Sequence, residues 1–234
     1  HYESVLFMKH RLILPGVLAL VLLFAACAPP PPLRDDTLLQ DTSLITENTE
    51  CAPPCWRGIT PGVTAWRDAL TILEDDATLE NVTVQEDEES TAKVAEFQQR
   101  GGSPCCQMFT EDGETVSVLF LRVAPTVTMG ELLFTQGDPE YLIGSQYSDD
   151  QAVVNLIYPE KSLVIYGFVA GTEASLSESS EVVGILYMKP EDMDLLIQTN
   201  SLHAWTGYDT YSAYDQSEFE VTPSVTLTPT PTGE

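Results

Sequence analysis

The chain has 234 residues, with 36 acidic against 10 basic side chains and a formal net charge of −26. That much negative charge repels phosphate backbones and anionic headgroups, which excludes nucleic acid as a partner. The acidic runs at 73–76 (LEDD) and 85–90 (QEDEES) lack the alternating oxygen ligands and glycine of a calcium loop. They read as solvated acidic surface, and neither a metal nor a cofactor is expected.

In chain order, residues 1–7 precede the first methionine, Met8, and read as an upstream artefact. Residues 8–26 have the layout of a secretory signal peptide: Lys9, His10 and Arg11, then an apolar run from Leu12 to Ala26. The run is shorter than the roughly 20 residues that cross a bilayer. Ala25 and Ala26 precede Cys27, an ending that resembles a bacterial lipobox, although Phe24 stands where Leu is usual. The resemblance implies that Cys27 carries a diacylglycerol thioether and becomes the N-terminus. It also implies anchoring to the cell membrane or outer membrane, facing the extracytoplasmic side, since stable anchoring takes more than one acyl chain. Residues 27–50 are proline-led and then polar, with no sustained apolar period, and are expected to form an extended, mobile tether.

Four cysteines follow: Cys51, Cys55, Cys105 and Cys106. Outside the cytoplasm an even count reads as two disulfides. Because adjacent cysteines do not readily bond to each other, Cys105 and Cys106 are each expected to reach back to Cys51 or Cys55, in an order the spacing leaves open. Closing a loop of that size contributes roughly 4 kcal/mol in the chain-entropy account. The alternatives fit less well. An adjacent pair presents poor geometry to one tetrahedral zinc, and CAPPC is one residue too long for a redox C-x-x-C.

Two α+β units are expected next, at 51–122 and 123–200. The first opens with Thr64 as N-cap and a helix whose apolar face is Ala65, Trp66, Ala69, Leu70 and Leu73. Pro61, Val63 and Thr64 match Pro125, Val127 and Thr128 at a constant offset of 64 residues, which marks an internal repeat. The second helix has a capping box, Thr128 with Glu131, an apolar face of Met129, Leu132 and Leu133, and Gly137 to end it. Four strand-like runs follow each helix: 81–85, 92–99, 105–109 and 115–123, then 140–147, 151–158, 162–169 and 181–188. The turn signals EDGE, SDDQ and PEKS make them antiparallel hairpins. A third short helix is expected over 189–200, with Pro190 in its first turn. The fold class is therefore α+β: two tandem helix-plus-strand units forming a meandering antiparallel sheet, with short helices packed on one face.

The stretches GITPGVTAWRDALTIL and VTMGELLFTQGDPEY resemble the Thr-led helix, glycine and acidic-Pro turn of the SmpA/BamE-like and β-lactamase-inhibitor-protein-like group. The resemblance spans residues 58–190. It implies a small extracytoplasmic α+β body, tandem in the inhibitors and lipid-anchored in the assembly members. The assembly members are single units without this cysteine pattern, and no inhibitor contact loop matches, so no binding residue is carried over.

Catalytic signals are sparse. One histidine, His203, follows Cys27, and there is no G-x-S-x-G, H-E-x-x-H, P-loop or G-x-G-x-x-G. His203 reads as a surface residue of the C-terminal part. The arm at 201–220 spaces Trp205, Tyr208, Tyr211 and Tyr214 every three residues, either to pack against the sheet or to bind an envelope protein or glycan. Residues 221–234 form a Thr/Pro tract expected to be disordered. The expected function is a non-catalytic, membrane-anchored interaction or envelope-assembly module. A secreted-enzyme inhibitor or glycan-binding module is one alternative, and a carboxylate-based hydrolase is another.

Overall fold

The computed structural model describes residues 32–46, 50–86 and 90–215. The signal run, Cys27 and the Thr/Pro tract lie outside them. The folded body begins at Leu33.

Every element expected from periodicity is present. Helix α1 (Trp66–Asp75) precedes strands β1 (Leu79–Glu86), β2 (Lys93–Gln99), β3 (Cys106–Thr110) and β4 (Val118–Arg122). Helix α2 (Met129–Gln136) precedes β5 (Tyr141–Ser148), β6 (Gln151–Tyr158), β7 (Leu163–Val169) and β8 (Val182–Met188). Helix α3 (Pro190–Thr199) and a two-residue strand, β9 (His203–Ala204), follow. The strands form one antiparallel sheet in the order β1-β2-β3-β4-β8-β7-β6-β5-β9. The fold is α+β, with a meandering sheet and short helices.

The two units join through the last strand of each meander. β4 and β8 pair antiparallel, with Val118 opposite Met188, Phe120 opposite Leu186 and Arg122 opposite Gly184. Equivalent strands that pair antiparallel are related by a two-fold axis perpendicular to the sheet, which here passes through the Phe120–Leu186 pair. Such an axis keeps both leading helices on one face. Accordingly Trp66, Ala69 and Leu73 of α1 and Met129 and Leu132 of α2 share one core with Met108, Leu119, Leu121, Ile165, Ile185 and Tyr187. The third helix lies on the opposite face. Its Met193 packs with Ile143, Ile157, Val164 and Met188, side chains that alternate with the main core along their strands.

The repeat is real but shifted by one residue from the sequence match. In the first unit the Trp66 N–H donates to Glu114 O and Val116 N–H to Thr64 O; in the second, Met129 N–H donates to Ser180 O and Val182 N–H to Val127 O. Ala65 therefore corresponds to Thr128, and Thr64 to Val127. This is why Thr64 is not the cap of α1. Ala65 holds that position without a side-chain bond, while Thr64 Oγ1 accepts the Thr60 N–H at 2.8 Å. The Thr128–Glu131 capping box is formed as expected, and Gly137 ends α2 at φ 80°, donating to Leu133 O.

The expected tether is corrected from residue 33 onward. Leu38, Leu39 and Leu44 are fully buried in the main core. The backbone crosses the junction of the units: Leu39 bridges Val123, and Leu39 O accepts the Ala124 N–H at 2.9 Å. Gln40 N–H reaches Gln99 Oε1 on β2, Gln136 Nε2 at the end of α2 donates to Leu44 O, and Arg34 pairs with Glu181 before β8. A close approach confirms the fit, since a Cβ on Gly102 would lie 2.5 Å from Thr37 O. The Asp41 carboxylate is buried yet satisfied, taking the Trp56 indole N–H at 2.6 Å and both donors of Ser43. Three leucines without helical or strand period give no periodic signal, so tertiary packing alone orders this strap.

Replacing Leu39 with Ala should therefore cost about 2–5 kcal/mol in urea unfolding. A cost below about 0.5 kcal/mol would return residues 33–46 to the role of tether.

Candidate functional site

The cysteines close locally, which corrects the expected cross-links between the two regions. Cys51 bonds Cys55, Cα atoms 5.0 Å apart, and Cys105 bonds its neighbour Cys106, Cα atoms 3.7 Å apart. The reason is what lies between them. Trp56, following the first pair, is fully buried and packs its ring on Phe97 of β2, centroids 6.0 Å apart. Phe97 in turn is paired with Cys106 across the ladder. With that space filled by rings, each pair bonds within itself. A loop this short contributes about 2 kcal/mol or less, half of what a long staple would supply, so packing carries the stability of the first unit.

Two carboxylates of the acidic runs, Asp76 and Glu86, have partners within the fold. The Asp76 carboxylate takes Thr78 and Arg57; burial would raise its pKa, and these bonds together hold it below the usual value. Glu86 pairs with Lys93 across the β1–β2 hairpin. Among the described residues no group of three His, Cys, Asp or Glu side chains is placed to hold a metal ion, and no helix is long and apolar enough to cross a membrane. His203 is also corrected. It is half-buried rather than at the surface, on β9 opposite Leu142 with its ring edge-on to Tyr214.

The aromatic arm divides in two. Tyr211 and Tyr214 are both 2% exposed and belong to the main core, which removes them from the candidate partner-binding set. Tyr211 lies directly on β5, where a Cβ at Gly144 would stand 2.8 Å from its ring, and the Gly144 N–H donates to Tyr214 O. Tyr214 is further held by its hydroxyl, which donates to Gly207 O at 2.9 Å. Trp205 and Tyr208 remain partly exposed at the end of the sheet. Their rings meet edge to face, centroids 5.5 Å apart and planes at 84°.

Beside them stands Phe134 of α2, 92% exposed. Its helix buries Met129 and Leu132, so a residue two further along points away from the sheet. Phe134, Leu133, Trp205 and Tyr208 line one open depression with the carboxylates of Asp138 and Glu178. Sequence reasoning assigned no role to Phe134 or Glu178. The available signal was an aromatic residue falling off the Met129–Leu132–Leu133 face. No protein family matches this chain, and no curated protein or solved structure matches it either. A second depression, about 370 Å³, lies on the outer face of the first unit over Glu96, Gln107, Phe120 and Arg122, where the two-fold axis would otherwise put a counterpart of α3. Its floor is tied internally, with Gln107 Nε2 and Gln85 Nε2 both donating to Glu96. The aromatic depression is the better candidate, because its apolar rings are left without cover.

Two outcomes test this geometry. Peptide mapping of unreduced protein should return Cys51–Cys55 and Cys105–Cys106 links and none joining the two regions. The buried phenols should resist ionisation: burial, helped by the Asp209 charge, pushes Tyr214 up to about 12 from an ordinary 10.0. A raised folded-state value stabilises fully below the unfolded value, and that contribution is lost as pH climbs from 10 toward 12. Alkaline titration followed by tyrosinate absorbance should show Tyr214 ionising with unfolding in that window. A Tyr214→Phe variant should lack that component.

Proposed function

We propose that this protein is a lipid-anchored, extracytoplasmic binding protein without catalytic activity, and that it engages a protein partner through the surface of Phe134, Trp205 and Tyr208. The observation that carries the reading is Phe134, 92% exposed next to two further rings. Single exposed apolar side chains are ordinary, but contiguous aromatic surface rimmed by carboxylates is a feature of interaction sites. Tyr and Trp supply large contact area with little conformational entropy to lose.

The anchoring half of the reading rests on the signal-like run that ends in Ala25, Ala26 and Cys27. The chain from Cys27 to Leu33 reaches at most about 20 Å when fully extended. A body that starts folding at Leu33 is thus held close to the bilayer, and the strap would transmit the anchor directly to the junction of the two units.

Two variants separate the halves. Cys27→Ser should abolish lipid labelling and move the protein from the membrane pellet to the soluble fraction; a variant that still labels and pellets defeats the anchor. Phe134→Ala should change stability by less than about 0.5 kcal/mol, since the ring is exposed. It should nevertheless remove the partner cross-linked to the wild-type protein in intact envelopes. Retention of the same cross-linked partner would defeat the binding surface.

A further inference from the structure

The aromatic depression has a chemistry of its own. Trp205 and Tyr208 form two nearly perpendicular walls. The carboxylates of Asp138, in the turn after α2, and Glu178, before β8, complete the lining. Glu178 is positioned by the backbone, for its carbonyl accepts the Gly130 N–H at 2.9 Å in the first turn of α2. Both carboxylates lie close enough to raise the Tyr208 phenol electrostatically, after the larger effect of burial. Among the described residues no Lys or Arg lines the depression. Lys161 is committed elsewhere, its Nζ donating to Gln136 O at 2.6 Å and to Gln136 Oε1 at 3.0 Å. Gly207, at φ 105°, has nothing within 4 Å of where a Cβ would stand, so the mouth stays open beside Tyr208.

Ring faces carry negative quadrupole charge and draw cations within about 6 Å of their centroids. Two rings at right angles with two carboxylates beside them favour a charge that is soft and partly dehydrated on one side and paired on the other. A guanidinium fits this best, because its flat faces stack on rings while its edge donates to carboxylates. On a chain of net charge −26, long-range attraction adds to the local preference.

We propose that the Trp205–Tyr208 corner receives an arginine side chain from the protein partner, with Glu178 and Asp138 pairing its guanidinium and Phe134 packing on the apolar residues that flank it. This rests on the proposed binding surface and names what that surface recognises. A peptide segment suits the site better than a free small cation. The depression is open, and the exposed Phe134 at its edge would stay wet if only a small cation were bound.

The test uses the full chain and three probes: an acetylated pentapeptide amide with a central arginine flanked by leucines, the same peptide with citrulline, and choline. Binding is read by the indole resonance of Trp205 and by calorimetry. The arginine peptide should bind, with affinity that falls as salt rises, and the citrulline peptide should bind at least about tenfold more weakly. Glu178→Gln and Asp138→Asn, which leave the rings in place, should each weaken the arginine peptide severalfold without lowering the melting temperature. Equal binding of the arginine and citrulline peptides, binding of choline alone, or no binding of any probe overturns the proposal. Its failure is distinguishable from failure of the binding surface. Envelope cross-linking lost in Phe134→Ala but intact in Glu178→Gln leaves the surface standing without its arginine, whereas cross-linking intact in both removes the surface itself.

Discussion

Everything in this body depends on the antiparallel pairing of β4 with β8. Each is the final strand of its own four-strand meander, and each would be a bare edge without the other. Backbone groups at a sheet edge attract further pairing, so two meanders that end in apolar strands gain most by closing on each other. The side chains at the seam match that arrangement. Leu119, Leu121, Ile185 and Tyr187 are buried on the face that carries α1 and α2, while on the other face Phe120 meets Tyr166 edge-on with centroids 5.7 Å apart. Gly184 permits that contact, since a Cβ there would lie 3.1 Å from the Tyr166 ring. A strand with apolar side chains on both faces belongs at the centre of a covered sheet, and VLFLR is such a strand.

On this two-fold frame the distinctive features are the unpaired ones. The strap of residues 33–46 crosses the seam on the face that carries α1 and α2, and bonds to both units. Helix α3 covers the outer face of the second unit only, held at its start by Lys189, which pairs with Glu111 and Asp192. The aromatic arm then turns around β5 to the inner side, where Tyr211 and Tyr214 complete the core. Each addition supplies burial that the repeat by itself lacks. The candidate site arises where one of them, the arm, meets the frame at the end of α2, so one unit acquires a surface its partner unit does not have.

The locally encoded parts of this structure were legible in the sequence. Eight strands appear where alternation and turn residues put them, because hairpin pairing is decided by neighbours in the chain. The capping box at Thr128 and the glycine stop at Gly137 are equally local. The repeat was visible too, but its register was not. Thr64 and Thr128 align as letters, whereas the hydrogen bonds that tie each helix start to its last strand equate Ala65 with Thr128. A threonine one position early bonds a different backbone group, and no spacing rule distinguishes the two.

What the sequence determined by itself is the α+β class, the order and approximate limits of the elements, and a strong excess of acidic over basic side chains. Tertiary structure alone decided the rest. Leu38, Leu39 and Leu44 carry no period, yet they fill the core at the seam, a position defined only once the two units are joined. The cysteines bond within each pair because Trp56 and Phe97 occupy the space between them, and steric exclusion by another side chain cannot be read from spacing. Four aromatic residues evenly spaced in an arm look alike in the chain. Tyr211 and Tyr214 are buried where the chain passes over Gly144 of β5, which leaves room for the Tyr211 ring and the Tyr214 carbonyl, while Trp205 and Tyr208 stay partly exposed. Exposure is a property of neighbours brought together by the fold, and that is why the candidate site became visible only in three dimensions.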